Sequence, residues 1–282
     1  MLRTALLSLA AAAVGLSAPS AAQAVPPAGD LRPGTVVETL GGQEVALNIA
    51  DASGLEPSTL VVPASPSRPL ILYCGGTNFS DARFGRYVRE ALLPYGDVVT
   101  WDYPLSGGGT NPLAAVAGAE GVVSDLALWA EAHSADRPLL VWGHSLGGFV
   151  GAQVAARTAA VDAVVLETTA PFAVPALERQ VARHGVELPR AARMLLPLLS
   201  RYDIPAALAG FGGEVLVLGA ENDRVLPVAF SRELASALDA TLDGARYREL
   251  PGANHFNSLA QPATHRALRD VLGDLGVALR QP

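Results

Sequence analysis

Hydrophobic and polar positions along this chain fall into short blocks, and the blocks change character near residue 69. Before that point two strand-like stretches flank Gly41-Gly42, which predicts a hairpin of Thr35–Leu40 and Gln43–Ile49, followed by a short strand at Thr59–Pro63. Beyond that point, short continuous apolar runs alternate with longer stretches of helical spacing. Continuous apolar runs are typical of strands that are buried on both faces of a sheet.

The second part of the chain therefore predicts regular strand–helix units. The predicted strands are Pro69–Tyr73, Asp97–Trp101, Pro138–Trp142, Val161–Leu166, Glu214–Leu218 and Arg246–Leu250. The predicted helices are Asp81–Leu93, Pro112–His133, Leu146–Arg157, Val228–Leu238 and Ser258–Leu279. This order predicts an α/β fold, a mostly parallel central sheet with helices on both faces that is entered from an antiparallel edge. No repeat or linker interrupts it, so residues 25–282 are predicted to form one domain.

Composition excludes several classes of protein. Of the 282 residues, 50% are apolar and 17% are charged, which is the reverse of a disordered chain. All 20 basic residues are arginine, so mechanisms that need a lysine are excluded. The net charge of −7 argues against nucleic acid and anionic membrane surfaces as partners, because both repel an acidic protein.

The N-terminus has the pattern of an export signal. A short basic start at Met1–Arg3 precedes the apolar run Thr4–Ala18, and Ala22-Gln23-Ala24 supplies small residues at the two positions that a signal peptidase reads. We expect residues 1–24 to be a signal peptide, and the protein to be periplasmic or extracellular in a bacterium with no membrane span after cleavage. The alternative is an uncleaved N-terminal anchor. Cys74 is the one cysteine, so no internal disulfide can form.

A candidate nucleophile lies at the end of a predicted strand. Gly143-His144-Ser145-Leu146-Gly147-Gly148 follows Pro138–Trp142 and opens the next helix. G-x-S-x-G alone is a weak signal in a chain with 28 glycines. A sharp strand-to-helix turn, however, raises the Ser145 hydroxyl above the sheet and directs the N–H groups of the helix N-terminus to the same place. The alternative is a glycine-rich turn that contains a serine by chance.

Two further strands end in residues that could activate this serine. Asp223 follows Glu214–Leu218, and His255 follows Arg246–Leu250. In open α/β sheets, binding sites lie at the carboxyl ends of the strands, so Ser145, Asp223 and His255 are expected at one edge of the sheet. Glu221 is an alternative to Asp223 as the acid, and Glu167 is a more distant one.

These segments resemble the α/β-hydrolases that use a serine nucleophile, and the resemblance covers residues 34–282. It is carried by GHSLGG, LVLGAENDRVLP and LPGANHF, together with LILYCGGTNFS at the place of the family's oxyanion loop. The resemblance implies that the N–H groups of Leu146 and Gly76 hold the oxyanion. The sequence departs from the family at Cys74, which stands where relatives often have histidine. Cys74 is also a rival nucleophile, although a buried cysteine is more often a small apolar residue.

The predicted activity is cleavage of a carboxylic ester or a related acyl bond of a small-molecule acyl substrate. His255 would act as the base, Asp223 would orient it, and no cofactor or metal would be needed. An acyltransferase or thioesterase with the same triad and a non-catalytic binding protein remain alternatives. The insert Thr168–Gly213 is predicted to cap the nucleophile, and its apolar residues either shape an acyl pocket or only pack the cap onto the body. The sequence does not distinguish between ester, thioester, lipid and amide substrates, and it does not give the oligomeric state.

Overall fold

A computed structural model describes most of the chain from residue 35 onward. The predicted signal peptide and the predicted strand Thr59–Pro63 lie outside the described residues. Those residues are 35–40, 43–50, 68–76, 79, 81–101, 112–134, 137–183, 185, 187–188, 193–194, 196–242 and 244–277.

The described strands form one sheet of eight. They are β1 (Thr35–Leu40), β2 (Gln43–Ala50), β3 (Leu70–Cys74), β4 (Asp97–Trp101), β5 (Leu139–His144), β6 (Ala163–Glu167), β7 (Glu214–Ala220) and β8 (Arg246–Leu250). Their order in the sheet is β1-β2-β4-β3-β5-β6-β7-β8. The strands β3 to β8 are mutually parallel, whereas β2 pairs with both β1 and β4 in antiparallel fashion. The predicted fold class and its antiparallel edge are confirmed.

Helices follow most of the parallel strands. They are α1 (Arg86–Leu92), α2 (Pro112–Ser134), α3 (Leu146–Ala155), α4 (Ala173–Arg183), α5 (Leu196–Leu199), α6 (Ile204–Ala207), α7 (Val228–Asp239) and α8 (Pro262–Asp274). Helices α4, α5 and α6 lie in the segment between β6 and β7, where the sequence predicted a cap insert.

Alternate residues of each central strand enter apolar clusters on opposite faces of the sheet. In β3, Leu70 and Leu72 belong to the cluster that contains residues of α2, α3 and α7, whereas Ile71 belongs to the cluster that contains residues of α1 and α8. All three side chains are fully buried. This two-sided burial is why the strands appear in the sequence as continuous apolar runs.

The chain differs from the predicted helices at two places. The predicted helix Ser258–Leu279 is a 3₁₀ turn at Ser258–Ala260 followed by α8. Pro262 is the cause, because proline lacks an N–H and fits the first turn of a helix, while the residue before it is held in extended backbone. Gln261 accordingly has φ −76° and ψ 132°.

The second difference lies at the start of the helix predicted over Asp81–Leu93. Its first turn, Asp81–Gly85, is π-helical, and α1 continues from it. The buried Asp81 carboxylate accepts hydrogen bonds from the guanidinium of Arg89 and from the hydroxyl of Thr100 on β4. These polar contacts fix the turn to the sheet just beyond the end of β3.

No helix within the described part of the chain is long and apolar enough to cross a membrane.

Candidate active site

Ser145 occupies a strained turn between β5 and α3. Its backbone has φ 55° and ψ −117°, outside the conformations that most non-glycine residues adopt. The turn is tight: a Cβ on Gly147 would lie 1.9 Å from the carbonyl oxygen of Cys74, and one on Gly143 would lie 2.5 Å from that of Gly147. Side chains at these two positions would collide with backbone, which explains the glycines of the motif.

The backbone of Ser145 is held on both sides. Its N–H donates to the carbonyl oxygen of Glu167 at the end of β6, at 2.8 Å. Its own carbonyl oxygen accepts from the N–H of Gly148 at 3.0 Å and from the hydroxyl of Thr169 at 2.7 Å. The strained conformation is therefore stabilised by the end of β6 and the residues just after it, as well as by the turn itself.

The structure brings Asp223 and His255 into direct contact. The Nδ1 of His255 lies 2.7 Å from Oδ2 of Asp223, and both side chains are buried. The other carboxylate oxygen, Oδ1, accepts from the N–H groups of Val225 at 2.7 Å and Leu226 at 2.8 Å. An ionised carboxylate only accepts hydrogen bonds, so Nδ1 of His255 carries the proton and Nε2 is left as a base.

The loop that carries His255 is also bound to the serine turn. The carbonyl oxygen of His255 accepts a hydrogen bond of 2.8 Å from Nε2 of His144. Burial lowers the pKa of His144, and the nearby Glu167 carboxylate offsets part of that shift. A carbonyl can only accept, so His144 carries its proton on Nε2 and joins the serine turn to the histidine loop as a neutral ring.

Both predicted oxyanion donors lie beside the serine. Gly76 and Leu146 line the same cavity as Ser145 and His255. A Cβ on Gly76 would come within 3.2 Å of the Ser145 Cβ, so this backbone lies close beside the side chain of Ser145. Leu146 is the first residue of α3, and its N–H therefore has no acceptor within the helix.

The two alternative acids have other partners. Glu221 accepts from the N–H of Gly252 at 2.8 Å. Glu167 is 2% exposed; its Oε2 accepts from the indole N–H of Trp142 at 2.6 Å, and its Oε1 accepts from the hydroxyl of Ser258. Of the three acids, Asp223 is the one bound to the His255 ring. Glu167 instead links β5 and β6 to the turn that follows the histidine.

Ser145 and His255 open onto a cavity of about 420 Å³. Among the described residues no hydrogen bond joins the serine hydroxyl to the His255 ring, and such bonds often tighten only when substrate is present. The wall of the cavity is mostly aromatic and aliphatic. Its lining side chains include Tyr73, Phe79, Phe84, Tyr87, Val88, Phe149, Ala176, Leu177, Val225, Leu226, Phe256 and Leu259.

The insert between β6 and β7 contributes both to this wall and to packing. Residues of one face of α4 line the cavity, among them Ala176 and Leu177. Leu177 also packs with Val181 and Leu199 in a small separate cluster. Apolar residues of the insert thus line the cavity and also pack against one another.

Cys74 is fully buried at the end of β3 and does not line the cavity. Burial raises the pKa of its thiol to about 12. Because the thiolate is the reactive form, a cysteine in this environment is a poor nucleophile at neutral pH.

Sequence reasoning missed three contributions to the site: the hydrogen bond of His144, the bonds of Glu167, and the aromatic wall formed by Phe79, Phe84 and Tyr87. Only the position of Glu167 at a strand end gave a signal, and it suggested a different role. The contact between Glu167 and Ser258 joins residues 91 positions apart, which no local pattern encodes.

The sheet has eight strands and is mainly parallel, with a serine turn after the fifth strand and an aspartate–histidine pair after the last two strands. This arrangement is that of the α/β-hydrolase fold. The sequence model of the family described as alpha/beta hydrolase fold matches residues 69–190. The chain therefore has the α/β-hydrolase fold, and the matched residues are similar in sequence to that family.

Known proteins resemble this chain to a moderate degree. Lysophosphatidylserine lipase ABHD12 of Danio rerio is 29% identical over 232 residues, which cover 73% of this chain and 58% of that protein. Protein ABHD12B of Homo sapiens is 26% identical over 242 residues, covering 79% of this chain and 65% of that protein. The chain thus spans less than two thirds of the length of these relatives. An esterase of Thermogutta terrifontis shares the fold, with a TM-score of 0.59, 17% identity, and coverage of 90% of this chain and 98% of that one.

Proposed function

We propose that this protein is a serine hydrolase that cleaves a carboxylic ester or a related acyl bond through an acyl-enzyme on Ser145. The observation that carries the proposal is the buried His255–Asp223 pair, at 2.7 Å, in a cavity shared with the strained Ser145. Relatives whose names describe a lipase and an esterase support an acyl bond as the target.

The first half of the reaction forms the acyl-enzyme. Nε2 of His255 takes the proton of the Ser145 hydroxyl as Oγ attacks the carbonyl carbon, and Asp223 stabilises the resulting imidazolium. The N–H groups of Leu146 and Gly76 hold the oxyanion; each such donor is worth about 10²–10³ in rate where it has been measured. The C–O bond to the leaving alcohol breaks as His255 returns the proton to that oxygen.

The second half releases the acid. His255 takes a proton from a water molecule, whose oxygen attacks the acyl carbon, and it then protonates Oγ as the ester bond to Ser145 breaks. The neutral His144 holds the carbonyl of His255 through both halves, so the ring stays in place while its charge changes.

A kinetic experiment with p-nitrophenyl esters tests this proposal. We expect p-nitrophenol release with an initial burst that matches the enzyme concentration whenever deacylation is the slower step. Ser145→Ala should lose this activity while keeping the wild-type melting temperature. Activity that survives in Ser145→Ala would refute the assignment of the nucleophile.

Product analysis with an added alcohol distinguishes hydrolysis from acyl transfer. A hydrolase yields mainly free acid at low alcohol concentration, whereas an acyltransferase yields the new ester. A series of esters with rising acyl length would show whether the apolar wall accepts the acyl chain, because each buried methylene is worth about 0.8 kcal/mol. A flat response over the series would contradict an acyl pocket.

A further inference from the structure

The cavity wall formed by α4 changes from apolar to cationic along the helix. The lining residues of α4 are Ala173, Ala176, Leu177, Gln180 and Arg183. They stand at positions i, i+3, i+4, i+7 and i+10, which places them on one face of the helix. At 1.5 Å per residue, this stripe extends about 15 Å from Ala173 to Arg183.

The charged groups of the cavity lie at different depths. Glu167 is buried, and both of its carboxylate oxygens already accept hydrogen bonds from Trp142 and Ser258. Arg183 is exposed, and it makes no ion pair or hydrogen bond with any residue in the described part of the chain. A negative group on a substrate would therefore be repelled near Glu167 and attracted at Arg183.

The polar neighbour of Arg183 on the stripe is fixed in position. The side-chain amide of Gln180 donates to the carbonyl oxygen of Val225 at 2.9 Å, which holds the second half of α4 against the loop that carries Asp223. The end of the helix that carries Arg183 is thus bound to the loop that carries Asp223, which sets where the backbone of Arg183 lies relative to the site.

On the basis of the proposed serine hydrolase activity, we infer that Arg183 forms an anion subsite. The preferred substrate is then an acyl ester that carries a carboxylate or phosphate group, with an apolar portion between that group and the scissile bond. The apolar portion lies along Ala176 and Leu177, and the anion pairs with the Arg183 guanidinium, which suits the oxygens of either group. Arg183 is a specificity residue in this scheme and takes no part in bond breaking.

Two matched pairs of esters test the subsite and locate the anion. In the first pair the charge is on the acyl side: a medium-chain mono-p-nitrophenyl dicarboxylate and its methyl-capped counterpart. In the second pair the charge is on the alcohol side: a monoacylglycerol phosphate and the corresponding monoacylglycerol, both below their micelle concentrations. The measured quantity is the ratio of kcat/KM for the anionic member to that for the neutral one.

We expect the wild type to prefer the anionic member of at least one pair, and Arg183→Gln to reduce that ratio about tenfold, as the loss of a charge-assisted hydrogen bond would. Arg179→Gln is the matched control, because Arg179 lies on the same helix, is exposed and does not line the cavity. It should leave the ratio unchanged. Raising the salt concentration should lower the wild-type ratio, because exposed charges are screened.

The subsite is overturned if the ratios of wild type and Arg183→Gln agree in both pairs, or if Arg179→Gln lowers the ratio as much as Arg183→Gln does. Failure of the proposed function gives a different result, since then neither neutral ester would show cleavage that depends on Ser145.

Discussion

Replacement of Asp223 by asparagine should stop the reaction without unfolding the protein. The carboxylate oxygen Oδ1 accepts two backbone N–H groups, from Val225 and Leu226, and Oδ2 faces Nδ1 of His255. In the variant, the amide oxygen has to stay at the Oδ1 position. The flipped amide would direct its NH₂ group at two N–H donors and leave both unpaired, at about 1–3 kcal/mol each.

The amide NH₂ then faces His255, and Nδ1 has to accept a hydrogen bond instead of donating one. The ring proton moves to Nε2, so the nitrogen that should act as the base toward Ser145 is no longer free. The same carboxylate-to-amide change in a serine protease lowers kcat about 10⁴-fold. At about 1.36 kcal/mol per tenfold, this corresponds to roughly 5 kcal/mol of transition-state stabilisation.

The assay is steady-state hydrolysis of a p-nitrophenyl ester, with the melting temperature measured on the same samples. Glu221→Gln is the control, because it alters the neighbouring acid while keeping an acceptor for the N–H of Gly252; it should stay within about twofold of wild type. A folded Asp223→Asn variant that keeps more than a tenth of the wild-type kcat would refute the role of Asp223, as would a loss of activity in Glu221→Gln instead.

Three further predictions concern stability and reactivity. Gly147→Ala should lower the free energy of unfolding by about 4 kcal/mol or more in urea, because its Cβ would lie 1.9 Å from a backbone carbonyl oxygen. The control is Gly273→Ala on α8, where a Cβ meets nothing within 4 Å, and it should be neutral or stabilising. Equal stability of the two variants would contradict this. Cys74, whose pKa is raised to about 12 by burial, should react with iodoacetamide at pH 8 only after unfolding, and labelling of the native protein at the rate of a free thiol would contradict this. Glu167→Ala should lower the melting temperature, because the buried indole N–H of Trp142 and the hydroxyl of Ser258 lose their acceptor. Glu167→Gln should recover most of that loss. A wild-type melting temperature for the alanine variant would show that these bonds do not stabilise the fold.

Much of the sheet could be predicted because two-sided burial leaves a strong pattern. The run that predicted a strand at Asp97–Trp101 coincides with β4, whose residues are all buried. Turn chemistry was harder to predict: the break before Pro262 separates a 3₁₀ turn from α8, although the helical pattern runs through it. In that case a local backbone constraint overrode the hydrophobic periodicity.

The candidate site could likewise be predicted only in part. Ser145, Asp223 and His255 could be placed at one edge because each follows a parallel strand, and the structure brings the aspartate and the histidine together there. The bond from His144 to the His255 loop could not be predicted, nor could the face of α4 that lines the cavity, because both depend on how distant segments meet.

The central claim, that Ser145 is the activated nucleophile, is tested most directly by labelling the native protein with a fluorophosphonate and locating the adduct by peptide mass spectrometry. We expect one adduct per chain, on Ser145, and none on Ser145→Ala under the same conditions. An unlabelled wild type, or an adduct that persists in Ser145→Ala, would contradict it.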